Sequence, residues 1–360
     1  MSVLLTIGTG KGLFLARSDD DRTSWQVSGP HFPTTGVYAV AIDTRGAVPR
    51  LHAGITSSHF GPSVATSDDL GESWHEPDHA PVAFPEYTGT SLGRVWQIAP
   101  GPADQPDRVY VGTEPSALFV SDDGGRSYDL VRPLWDHPHR EHWRPGFGGQ
   151  AIHTVLPHPT NLDSMLVAMS TGGVYRTADG GQSWSPSNTG IQAPFMPDRF
   201  PEYGQCVHKV ATNPHRPERF FAQNHHGVYR SDDAGATWQS IADGLPSDFG
   251  FAMVVHPHHP DVIYNFPLSG ERYPPEYRCR VYRSGDAGAS WEALERGLPD
   301  ENSYPSVLRD AMCVDDADPA GVYFGNRAGE VFASADSGDS WGLVAAHLPD
   351  VLCVRAAVVA

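Results

Sequence analysis

Lysine is almost absent: Lys11 and Lys209 stand against 23 arginines. Acidic side chains number 43 against 25 basic ones, leaving a formal charge of −18. A surface of that sign repels phosphate backbones and anionic headgroups, so neither nucleic acid nor a membrane surface is an expected partner. Cysteine is scarce as well. Cys206, Cys279, Cys313 and Cys353 show no CxxC spacing, and reduced thiols in a cytoplasmic protein are the expectation. No stretch approaches the roughly 18 continuous apolar residues of a membrane helix. Met1–Arg17 has no basic leader, and its apolar run is broken by Gly8, Gly10 and Gly12, so it does not read as a signal peptide.

Turn residues are plentiful: 37 glycines and 32 prolines. With 39% apolar residues the chain still has material for a core, which excludes disordered and collagen-like readings. The pattern S/T-x-D-x-G-x-S/T-aromatic occurs seven times, from Ser18–Trp25 to Ser334–Trp341, with aromatics 49, 54, 56, 54, 53 and 50 residues apart. The first copy carries Arg22 where the others carry glycine. The third-position aspartates, from Asp20 and Asp69 to Asp336, suit turns whose backbone they bond, and the glycines supply positive φ. Each copy reads as a hairpin turn. A period near 50 residues fits four short strands, one propeller blade.

This pattern resembles the Asp-box (BNR) repeat of sialidases and related β-propellers, over the whole chain. The overall likeness is to bacterial exo-sialidase or glycosyl-hydrolase-like proteins. Inner strands are expected at Val37–Ile42, Val95–Ala99, Ile152–Leu156, Val207–Ala211, Phe251–Val255 and Ala311–Val314. The C-terminal Val351–Val359 lacks a partner of its own and should complete the first blade, removing exposed edges. The expected architecture is all-β: residues 1–360 as one seven-bladed propeller of four-stranded antiparallel blades.

Loops entering the inner strands share one propeller face with loops joining second to third strands; the repeated turns lie opposite. His158, His215, His256, His258 and His259 fall on the turn side and read as loop residues. His59, His137, His139, His142, His153, His208, His225 and His226 fall on the other face, where a ligand site is expected. Of nine tryptophans, six belong to the repeats, and Trp96, Trp135 and Trp143 fall on the histidine face. The longest loops lie there too, which places the expected site off-centre, above the second to fourth inner strands.

His153 and His208 share a register two residues before Val155 and Val210, with Trp96 and Tyr38 at that position in the preceding blades. With His142 they form the candidate metal set, for one divalent ion of zinc, copper, iron or manganese; hydrogen-bonded channel histidines are the alternative. Lys209, Glu202 and Asp310 are the candidate catalytic groups. Lys209 is expected to pair with a carboxylate such as Glu202, and Asp310 to be a channel carboxylate. Arg94, Trp96, Gln97, Trp143, Arg144, Tyr203, Gln205 and His226 are the candidate substrate contacts. Cys206, two residues from His208, is a further candidate nucleophile.

Three functions stay open. The first is a metal-assisted hydrolase or lyase acting on a small polar or anionic molecule. The second is a carboxylate-based glycoside hydrolase. The third is a non-catalytic binding or assembly propeller. The sialidase likeness implies an Arg-Ile-Pro motif and a six-bladed ring, whereas this chain has seven repeats and no such motif.

Overall fold

The computed structural model describes residues 2–19, 21–59, 61–146 and 149–359. Asp20 and part of the glycine-rich segment Pro145–Gly149 lie outside the described residues. Among the described residues seven antiparallel sheets follow one another along the chain, and helix is confined to one four-residue turn and short 3-10 segments. No helix among the described residues is long and apolar enough to cross a membrane.

Ring closure follows the sequence expectation. The strand Val351–Val359 pairs antiparallel with Ser2–Thr9, from Ser2 opposite Val359 to Thr9 opposite Val351, and is the inner strand of the first blade. The other inner strands are Gly36–Asp43, Arg94–Pro100, Ile152–Pro157, Val207–Asn213, Gly250–Val255 and Met312–Val314. Six sheets have four strands and the second has three. Where its fourth would pair, a single bridge joins Thr66 to His75, because Pro77 and Pro81 remove donors just beyond it.

The repeated turn explains its own residues. In the fourth blade Ser183 donates to Asp179 through N–H (2.9 Å) and Oγ (2.6 Å), Thr177 Oγ1 donates to it at 2.8 Å, and Gly181 N–H donates to Thr177 Oγ1 at 2.9 Å. The same bonds recur around Asp69, Asp123, Asp233, Asp286 and Asp336. The glycine takes positive φ in each, 91° at Gly71 for example. Arg22 adopts φ 54° in the first copy. Its guanidinium crosses to the seventh blade, where it pairs with buried Asp315 at 3.2 Å and donates to the Pro319 and Ala335 carbonyls. The exception in the sequence is therefore a clasp at the closure seam. Aromatics of the repeats pack between blades: Trp25 stands edge-on to Tyr323, and Trp74 to Phe32.

Candidate functional site

Inner strands carry a recurring irregularity. Pairing with the second strand slips at Tyr38, Trp96, His153, His208 and Phe251, and in the first blade at Leu352. Asp310, two residues before Met312, holds the equivalent place in the seventh blade. A bulge leaves one residue unpaired and re-aims its side chain. Repeated around the ring, it turns one residue per blade toward the channel mouth, at the register the sequence indicated.

Six of these seven residues, all but His153, line a cavity of about 670 Å³. Residues of the third to seventh blades complete it, Glu114, Thr171, His225, His226, Arg272 and Arg327 among others. The face is the expected one, but the cavity is central rather than off-centre. The long loops entering the fourth and fifth blades bring only Gly146, Gly149, Phe195 and Cys206 to it. Trp135 and Trp143 are buried in the core, Arg140 lies 3.3 Å over the Trp135 ring, and Trp143 Nε1 donates to Tyr175 Oη. An outer pocket of about 620 Å³ adjoins it, sharing Thr171 and Phe195 and lined further by His142, Arg144, Glu202 and Tyr203.

The expected residues thus divide. Arg94, Trp96, His208, His226 and Asp310 line the central cavity, with Lys209 just behind it bonded to Asp310. His142, Arg144, Glu202 and Tyr203 belong to the outer pocket. Gln97, Gln205 and Trp143 are buried, and the amides of the two glutamines donate to backbone carbonyls, so they serve packing.

Lys209 meets Asp310 rather than Glu202. Its Nζ lies 2.7 Å from Asp310 Oδ1, and Arg355 Nη2 reaches the same oxygen at 2.6 Å. Glu202 sits exposed on the outer loop, out of the channel, whereas Asp310 faces Lys209 across it. Burial alone would push the Asp310 carboxyl up, but Lys209 and Arg355 hold it well below the usual carboxylate range. It is therefore an acceptor and a fixed negative charge, never a proton donor near neutrality. Burial lowers Lys209 against the opposing pull of Asp310.

The histidines part company in the same way. His153 Nε2–H donates to the Val207 carbonyl at 2.9 Å and Nδ1 accepts from Thr154 Oγ1 at 3.1 Å. Both nitrogens are used, so His153 joins neighbouring blades as a hydrogen-bonded channel histidine. With His142 in the outer pocket, the set His153, His208 and His142 is not brought together. His208 Nδ1–H donates to the Gly250 carbonyl at 2.6 Å, the same kind of link one blade on, but Nε2 faces Cys206 Sγ at 3.6 Å. Burial, then Arg309, keeps His208 neutral by lowering its pKa well below the ordinary value. Burial pushes the Cys206 thiol up, which argues against a resting thiolate nucleophile.

On the opposite wall Arg94 lies 4.5 Å from the Tyr38 ring centre and pairs with Glu114 at 3.1 Å. Trp96 Nε1 donates to the same carboxylate at 3.0 Å. Arg309 stands between the Trp96 and Phe251 rings, 5.1 and 5.9 Å from their centres. Its Nε is buried without a hydrogen-bond partner among the described residues, and so is Asp310 Oδ2. Sequence reasoning passed over Arg309, Glu114, Arg272 and Arg327. The last three lie at or beyond the ends of second strands, and the rule that the loops there share the ligand face was signal enough to find them.

No protein-family model matches the chain. It is similar to a xyloglucanase of a Paenibacillus species, 24% identical over 203 residues that cover 52% of this chain and 18% of that protein. A xyloglucanase of Hypocrea jecorina is 23% identical over 258 residues, 65% of this chain and 28% of its own length. The matched region spans less than a third of either relative. Among solved structures, an ancestral GH74 enzyme superposes with a TM-score of 0.55 at 19% identity, over 85% of this chain and 38% of that one. YCF48 bound to D1 peptide reaches 0.52 at 16% identity, over 86% and 82%. The class so defined is a seven-bladed propeller with distant xyloglucanase homologues.

Proposed function

We propose that the chain is a glycoside-hydrolase-type propeller whose central cavity takes a small saccharide bearing a carboxylate. The observation that carries this reading is the pair of buried, unpartnered polar atoms in one cavity wall, Arg309 Nε and Asp310 Oδ2. Buried polar groups are nearly always bonded, so a donor and an acceptor left open at a cavity ask for a ligand. Arg309 meets the carboxylate through its guanidinium fork. Trp96, Tyr38 and Phe251 offer apolar faces to a sugar ring, and Asp310 Oδ2 accepts from a hydroxyl. Held ionised, Asp310 stabilises positive charge developing at the anomeric carbon of an oxocarbenium-like transition state. Glu114, fixed by Arg94 and Trp96, is the carboxylate we pair with it among those that line the cavity. The similarity to xyloglucanases supports the glycoside class, and the arginines distinguish the substrate from a neutral glucan.

The test compares binding and cleavage of 4-nitrophenyl glucuronides and galacturonides with the neutral glucosides, xylosides and xyloglucan oligosaccharides. Acidic glycosides should be preferred, and Arg309→Ala should weaken them at least about tenfold, the loss of one charge-assisted contact. A preference for neutral oligosaccharides untouched by Arg309→Ala would overturn the reading.

A further inference from the structure

Cys206, His208 and His225 bring one sulfur and two imidazole nitrogens within 4.8 Å of one another at the cavity wall. Cys206 and His208 are two residues apart where the fifth inner strand begins, and their side chains meet, Sγ to Nε2, at 3.6 Å. His225 comes from the loop after the second strand, and its backbone N–H donates to the Cys206 carbonyl at 2.8 Å. That bond holds loop against strand, so backbone pairing sets the spacing of the three groups. The His208 Nδ1–H bond to Gly250 fixes the tautomer that turns the Nε2 lone pair toward Cys206. A carbonyl behind the imidazole is the usual support of a metal-ligating histidine. Phe249 stands edge-on to both histidines and Phe251 lies 4.7 Å from His208, an apolar collar around the cluster.

We propose that Cys206, His208 and His225 bind one divalent transition metal, zinc or copper, with an open coordination position facing the cavity. A thiolate with two imidazoles suits these ions by softness, and three protein ligands with one free position is the arrangement of catalytic rather than structural sites. On binding, the Cys206 S–H proton leaves to solvent and the sulfur electron pair goes to the metal. Arg309 and Arg272 line the same cavity, so the open position favours an anionic fourth ligand over a second cation.

The test uses chelator-stripped protein titrated with Co²⁺, then with Zn²⁺ and Cu²⁺ in competition. Wild type should take one equivalent of cobalt with a near-ultraviolet thiolate-to-metal charge-transfer band, and zinc or copper should displace it. Cys206→Ser should abolish the band. His225→Gln, at a half-exposed position that a fold tolerates better than buried His208, should weaken cobalt binding about a hundredfold or more. His142→Ala, in the outer pocket, should bind as wild type does. Absence of saturable binding, a band unchanged in Cys206→Ser, or loss of metal in His142→Ala would each overturn the proposal. No saccharide enters this readout, so its failure is distinguishable from failure of the acidic-glycoside reading.

Discussion

Replacing Asp310 with asparagine removes one charge and almost no volume, at the point where the first, fifth and seventh blades meet. The carboxylate is 4% exposed, Lys209 12% and Arg355 23%, so the substitution strands two cations with little water to take over. Breaking a buried pair by removing one partner costs about 3–5 kcal/mol, mostly the penalty of the charge left behind. Lys209 can shed its proton, and Arg355 is the most hydrated of the three, so the lower end applies, about 3 kcal/mol. Lys209→Met is the internal control. Asp310 keeps Arg355, and only one charged hydrogen bond is lost, about 1.5 kcal/mol. Urea unfolding at pH 7 should therefore rank wild type above Lys209→Met above Asp310→Asn. The pH dependence adds a sign. The folded pKa of Asp310 lies below its unfolded value near 3.9, so its contribution is complete above that value and is lost as pH falls below it. The gap between wild type and Asp310→Asn should hold from pH 7 to 5 and narrow below about pH 4. A cost under about 1 kcal/mol, or a larger loss in Lys209→Met, would refute the argument that the carboxylate neutralises both cations.

His52 is buried with neither ring nitrogen bonded among the described residues, and burial, against a weaker pull from Asp43, lowers its pKa to about 4. Its contribution is present above pH 6.5 and lost as pH falls toward 4, so His52→Leu should spare about 3 kcal/mol of that loss; urea midpoints at pH 7 and 4.5 that fall equally in both proteins would contradict it. Arg22→Gly supplies the residue of the other six turns and relieves a left-handed arginine, yet it strips buried Asp315 of its cation. A net destabilisation of about 2 kcal/mol is expected in urea, softened by the Gly321 N–H and Tyr323 Oη bonds to Asp315. A variant as stable as wild type would dissolve the clasp. Deleting Val351–Val359 leaves Ser2–Thr9 an open edge, so limited proteolysis should cut the truncated chain far faster than the full one.

The seven blades were legible because each repeats the same local solution. Aspartate, glycine and aromatic at fixed offsets build one turn, and the turn sets the distance to the next. The closing strand was legible from its missing neighbour, and the channel register from the alignment of His153 with His208. What crosses the channel was not. Lys209 and Asp310 are 101 residues apart, and which of seven inner strands face each other across the ring depends on its closure, not on any local pattern. Loop length misled for a related reason. The long segments after Tyr128 and Trp184 carry apolar anchors, Trp135, Trp143 and Ile191, that pack between blades, so that little of each segment is left to shape the cavity.

The recurring bulge divides the labour between fold and chemistry. Backbone irregularity is repeated in blade after blade, but the residue placed on it changes: Tyr38, Trp96, His153, His208, Phe251, Asp310 and Leu352. Two of these positions bridge blades through a histidine bonded to the carbonyl just ahead of the next bulge, Val207 and Gly250. Three present aromatic rings and one a buried anion. A substitution at a bridging position must therefore disturb the ring itself, whereas one at Tyr38, Trp96 or Leu352 changes mainly what the cavity touches. Specificity in such a propeller can be rewritten at a single register with the turns, strands and closure left as they are, which explains how repeats so alike can surround a cavity so unsymmetrical.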